Sequence, residues 1–98
     1  QNPIVSAEQC ATLLKQFPSL VSYSDTAGKK KIAAGWLIDQ CGFKGQRHGE
    51  VGVYEKQALV LVNHGNATAA DILTLAKQIQ DAVQTKFGVA LDIEPNIL

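Results

Sequence analysis

The sequence predicts a single α+β domain, a small mixed or antiparallel sheet covered by helices. Three observations predict it. Two stretches repeat apolar residues at helical spacing, each between a capping residue and a breaker. Short β-rich runs lie elsewhere, at Val51 and Val53, at Ala58–Val62 and at Val89–Ile93. The elements follow no regular β–α–β alternation, which points away from a doubly wound sheet. A chain of 98 residues with 46% hydrophobic and 18% charged residues suits one small domain with its own core.

The first helix is expected from Ser6. Ser6 and Gln9 have capping-box spacing, so both side chains are expected to satisfy free backbone donors. Cys10, Leu13, Leu14 and Phe17 form one apolar face, and Pro18 stops the helix. Residues 19–31 read as the least regular part, a loop rich in serine with Tyr23 inside it, followed by Lys29–Lys31 as a solvated strand face. A short helix follows with Trp36, Leu37, Ile38 and Cys41, and Gly42 ends it. Trp36 is expected in the core. The run Ala58–Val62 is apolar throughout, which predicts a strand in the centre of the sheet. Asn63–Asn66 turns the chain. The longest helix starts at Thr68 in a box with Asp71, the reciprocal half expected to be weaker. Its buried stripe is Ile72, Leu75, Ala76, Ile79, Val83 and Phe87, and Gly88 closes it. Val89–Ile93 is expected to be a last strand.

Composition narrows function mainly by exclusion. Basic and acidic residues both number nine, so the net charge is zero, unlike a general nucleic-acid or membrane-surface binder. No apolar run reaches the roughly 18 residues of a membrane span, and no signal peptide is visible. Cys10 and Cys41 are expected to be buried thiols in a reducing cytoplasm. They form no CxxC pair, and His48 and His64 lie apart, so no metal is expected. No P-loop and no GxGxxG is present. Asn66–Thr68 matches a glycosylation sequon but is better explained by Thr68 as a helix cap. The chain contains no methionine and ends on Ile97–Leu98, from which a piece of a longer protein is expected.

Four stretches carry a resemblance. They are Asn2-Pro3 with Val5-Ser6; Ala34 to Gly45; Gln57 to Asn63 continuing through Gly65-Asn66-Ala67-Thr68; and Phe87 to Pro95. In this order and spacing the chain resembles the C-terminal domain of the UDP-N-acetylenolpyruvoylglucosamine reductase family. The resemblance implies a bacterial cytoplasmic enzyme that reduces UDP-N-acetylglucosamine enolpyruvate to UDP-N-acetylmuramate for peptidoglycan, using FAD and NADPH. It implies that the flavin contacts, the arginine for the enolpyruvyl carboxylate and the serine proton donor lie on the enzyme's other domains. The 98 residues alone are then not expected to turn over. The rival expectation is an independent α+β module that binds a ligand or a protein and shares only ancestry with the reductase.

The resemblance also implies residue roles. Glu94 is implied as the catalytic carboxyl, polarising or helping to protonate the intermediate left by hydride addition. Its rival is a solvated carboxylate at a strand end. Asn2 is implied near the diphosphate, where an amide donates to phosphate oxygens; the rival is a turn residue before Pro3. Lys44, between Gly42 and Gly45, is implied on the nucleotide side, against a solvated lysine after a helix. Gln57 is implied as a substrate contact where many members have histidine, so hydrogen bonding is implied rather than acid–base work; the rival is a polar residue at a strand entry. Tyr23 matches a mobile tyrosine that covers the diphosphate in some members; the rival is a partly packed aromatic. The family usually ends Pro-Glu-Val-Arg, whereas here Ile93-Glu94 is followed by Pro95-Asn96.

Overall fold

In the computed structural model, residues 2–43, 47–48, 51–53, 61–63 and 68–93 are described. Nine regular elements run along them: β1 (Ile4–Val5), α1 (Ala7–Gln16), β2 (Ser22–Ser24), β3 (Lys30–Ile32), α2 (Ala34–Gln40), β4 (Arg47–His48), β5 (Val51–Val53), β6 (Leu61–Asn63) and α3 (Ala69–Phe87). The class is α+β, as the sequence predicts, with both sheets antiparallel and three-stranded, in orders β1-β3-β2 and β4-β5-β6.

The helix ends follow the capping chemistry, with one reversal. Ser6 is extended and its side chain accepts from the Gln9 backbone N–H at 3.0 Å. Gln9 does not return the bond as expected: its amide donates to the Gly88 carbonyl at 3.3 Å, tying α1 to the end of α3. The box at Thr68 is complete in both directions, 3.2 Å from the Asp71 N–H and 2.9 Å back to the Asp71 carboxylate. A charged, short carboxylate at a helix start is a strong acceptor next to the positive dipole end, whereas a neutral glutamine amide is free to donate elsewhere.

All six expected stripe residues of α3 are buried, and Gly88 closes the helix in the left-handed region at φ 67°. On α1, Cys10 and Leu13 are buried, but Leu14 lies at the margin and is exposed. The core joins these residues to Val5, Ile32, Ala34, Leu37, Ile38, Val89 and Leu91. Phe17, Trp36 and Phe87 meet at its edge, with ring centroids 4.7 Å (Phe17–Phe87) and 5.4 Å (Trp36–Phe87) apart in tilted contact. Trp36 is therefore half-buried against the core rather than inside it. No helix among the described residues is long and apolar enough to cross a membrane.

Of the expectations for three segments, two need correction. The stretch around Tyr23 is a strand and not a loop: Ser22, Tyr23 and Ser24 pair with Ile32, Lys31 and Lys30 in a hairpin whose second strand falls on the expected lysine face. The signal was hidden because only Ile32 in these two strands is buried and apolar. The strand at Leu61–Asn63 pairs with β5, which among the described residues is the middle strand of its sheet. An apolar run reports burial of faces, not lateral position in a sheet. The first part of that run, 58–60, lies outside the described residues, as do residues 64–66 of the expected turn. Finally, Val89–Ile93 alternates buried and exposed residues like a strand but joins no ladder among the described residues. Burial of Val89 and Leu91 against α3 and the core supplies its alternation.

The hairpin turn carries a strained position. Ala27 has φ 56° and Gly28 φ 72°, and the Asp25 N–H donates to the Lys29 carbonyl at 2.9 Å across the turn. An L-residue in the left-handed region carries a steric penalty that glycine escapes. Ala27→Gly is expected to stabilise the domain by about 0.5–1 kcal/mol, the steric relief exceeding glycine's extra unfolded-chain entropy. Urea unfolding of the two proteins measures it, and a lower midpoint for the variant would contradict the strain.

Candidate functional site

The first sheet has two unlike faces. Cross-strand neighbours share a face, so Ile4, Lys31 and Tyr23 form one row across β1, β3 and β2. Val5 and Ile32 alternate to the opposite, buried face. Ile4 and Tyr23 are 54% and 55% exposed, which leaves this row open to solvent with the lysine between two apolar groups. Lys31 is half-buried at this position.

Ile4 also belongs to an open crevice of about 340 Å³. Among the described residues it is lined by Asn2, Pro3, Ile4, Ala90, Leu91 and Asp92. Asn2 does structural work there. Its carboxamide oxygen accepts the Ala34 N–H at 2.9 Å, satisfying a free donor in the first turn of α2. The residue at the usual cap position, Ala33, has no side chain able to do so. Because only the oxygen of a carboxamide accepts, the amide orientation is fixed, and the NH₂ group is left with its two donors.

Of the five residues implied as site residues, the structure therefore places Asn2 on the crevice wall and Tyr23 on the exposed row, with Ile4 common to both features. Lys44, Gln57 and Glu94 lie outside the described residues. Tyr23 stands on a strand rather than on a loop. Lys31 is the candidate that sequence reasoning passed over as a merely solvated lysine. The signal that could have found it is its alternation with Ile32, which turns Lys31 to the face of Tyr23.

The cysteines divide. Both are free thiols; Cys10 is buried, while Cys41 is only half-buried at the end of α2. Burial raises the Cys41 thiol above its usual range, offset in part by the nearby Lys86 ammonium. Lys86 donates to the Gln40 carbonyl at 3.0 Å, so its charge is held at the end of α2. A raised thiol pKa means the folded state holds its proton longer than the unfolded one. That contribution to stability is complete at neutral pH and is lost as pH rises through the thiol range. Cys41 is accordingly expected to react with a thiol reagent at neutral pH more slowly than free cysteine, and Cys10 only at the rate of opening. A Cys41 faster than free cysteine would show that the lysine outweighs burial.

Among the described residues, two antiparallel sheets, three helices and a crevice beside a lysine–tyrosine row define a small α+β domain, the first sheet having one open polar–apolar face. Over residues 1–98 the sequence matches the family described as UDP-N-acetylenolpyruvoylglucosamine reductase, C-terminal domain, and the chain belongs to that family. It is similar to proteins named UDP-N-acetylenolpyruvoylglucosamine reductase from Polynucleobacter asymbioticus (70% identity over the whole chain), Chromobacterium violaceum (56% over the whole chain) and Pseudomonas aeruginosa (54% over 99% of the chain). The chain spans 28%, 29% and 29% of the lengths of these relatives.

Proposed function

We propose that this domain grips the UDP end of UDP-N-acetylglucosamine enolpyruvate while the rest of a cytoplasmic reductase supplies the flavin, in the peptidoglycan route to UDP-N-acetylmuramate. The observation that carries the reading is the match of the whole chain to the reductase's C-terminal domain family. The crevice geometry supports it. The Asn2 amide, with its oxygen engaged by Ala34, has only donors left to offer, which suits phosphate oxygens. Lys31 adds positive charge between Ile4 and Tyr23, and the exposed phenol of Tyr23 adds a donor and an apolar face. In this reading Lys44 and Gln57 contribute further hydrogen bonds to the nucleotide, and Glu94 acts on the reacting enolpyruvyl group.

FAD, reduced by NADPH, would supply the hydride when bound to the enzyme's other domains. Neither a phosphate loop nor a dinucleotide-binding glycine pattern occurs in these 98 residues, so no cofactor contact is assigned to them. Their share is binding and positioning. Holding the diphosphate fixes the enolpyruvyl end of the same molecule, and such fixing lowers the barrier of the hydride step.

The test uses the complete polypeptide that carries this domain, loaded with FAD. NADPH consumption is expected to require UDP-N-acetylglucosamine enolpyruvate and to yield UDP-N-acetylmuramate. A flavin-loaded protein that left this substrate unreduced would sink the reading.

A further inference from the structure

Ile4 belongs to two features that differ in charge. In the row across the first sheet it is the neighbour of Lys31, the charged member of that row. In the crevice it shares the lining with Asp92, the charged residue there, which is exposed. Neither charge is neutralised within the described residues: the salt bridge among them is Lys77–Asp81 on α3, and no carboxylate pairs with Lys31 and no cation with Asp92. A half-buried lysine flanked by apolar neighbours keeps its ammonium for solvent or a ligand. The two charges suit different parts of one molecule. A UDP-sugar carries its negative charge in the middle, at the diphosphate, with a hydroxyl-bearing ring on each side. An ammonium offers donors only, so it holds phosphate oxygens. A carboxylate offers acceptors only, so it holds hydroxyls and repels phosphate. The crevice, at about 340 Å³, is at the small end of ligand clefts and takes part of such a molecule rather than all of it.

We infer that Asp92 recognises a sugar and fixes the direction in which the substrate lies: the diphosphate is turned toward Lys31, and a neighbouring ring enters the crevice and donates a hydroxyl to the Asp92 carboxylate. The inference rests on the reading of the domain as the reductase's substrate-gripping part, and it deepens that reading. Asn2 fits both halves of the arrangement, since it lines the crevice and its NH₂ group has donors for a phosphate oxygen. Asp92 on its own would only weaken the grip on an anion. A charge-assisted bond from a hydroxyl offsets that repulsion, and it does so only for a ligand that brings the ring with it. The chemistry recognised is the ring hydroxyl. The ribose on one side of the diphosphate and the N-acetylglucosamine on the other both offer it.

The test is made on the complete flavin-loaded enzyme by calorimetric titration with pyrophosphate, UDP and UDP-N-acetylglucosamine. The second adds the nucleoside to the diphosphate, and the third adds the other sugar. Lys31→Met keeps the apolar stem and removes the charge. It is expected to weaken all three ligands about tenfold, with a smaller effect at high salt. Asp92→Ala is expected to act with opposite signs. Pyrophosphate should bind about threefold tighter, because a repulsion is gone, whereas a ligand that brings a hydroxyl into the crevice should bind about fivefold weaker. A loss that begins with UDP assigns the ribose, and one that begins with UDP-N-acetylglucosamine assigns the amino sugar. Asp92→Asn keeps an acceptor oxygen and is expected to recover part of the loss. If Asp92→Ala tightened all three ligands, or changed none of them, the role of Asp92 would be overturned. If Lys31→Met spared pyrophosphate, the direction of the substrate would be overturned. Wild-type enzyme that bound neither nucleotide would remove the reading of the domain and this inference with it, a result visible before any substitution is made.

Discussion

Asn2→Asp is expected to leave the domain as stable as before while weakening its hold on UDP-N-acetylglucosamine enolpyruvate by about a hundredfold, close to 3 kcal/mol. The two halves of the Asn2 amide do different work. Its oxygen accepts the Ala34 N–H at 2.9 Å, and aspartate keeps an oxygen there. A carboxylate beside the first turn of α2 is, if anything, the better acceptor. The NH₂ half disappears in the variant, and a negative charge arrives where the proposed reading seats the diphosphate. Asn2→Ala inverts the pattern. It removes the acceptor, leaves a backbone donor unmet and costs about 1 kcal/mol of stability. It adds no repulsion, so affinity falls only about tenfold through the missing donor. The order of the variants by stability is thus the reverse of their order by affinity. Thermal unfolding and equilibrium binding, measured on both, check it. If affinity simply tracked stability, Asn2 would be a helix cap and nothing more.

What was legible in the sequence is what local chemistry decides. The stripe and both ends of α3 could be read because caps and helical periodicity are written within a few residues of where they act. The end of α2 was equally readable, since Gly42 takes φ 82° there. The first sheet was not. Its strands are two or three residues long, and β2 reads Ser-Tyr-Ser, with no apolar alternation to betray it. What makes it a strand is pairing with β3, and β3 is in turn paired with β1, far away in the chain. The site shows the same division. Asn2 was singled out as a ligand contact by resemblance, but its bond to a helix N–H 32 positions away has no local signature. Val89–Ile93 shows its burial alternation openly, yet alternation alone does not supply a neighbouring strand.

Dependence on distant contacts is sharpest at α2, and Leu37→Ala is expected to expose it. This helix has seven residues, about half the length at which an isolated helix becomes marginal in water. Packing therefore has to hold it, through Ala34, Leu37 and Ile38, all at 0% exposure. Truncating Leu37 removes buried methyl groups and leaves a cavity, at a cost of about 3 kcal/mol. For a domain of this size that is a fall of roughly 15 °C in Tm. Leu37→Met conserves volume and should lose less than about 1.5 kcal/mol. Leu73→Ala is the control on a helix surface: Leu73 is 62% exposed, and the change should stay within about 0.5 kcal/mol. The loss at Leu37 should also reach the ligand. The Ala34 N–H that orients Asn2 belongs to the first turn of α2, so loosening the helix loosens the amide's reference point. Leu37→Ala is then expected to weaken substrate binding as well as stability, although Leu37 is buried and touches no ligand. A Tm within a few degrees of wild type would mean that α2 is held by something other than its buried face.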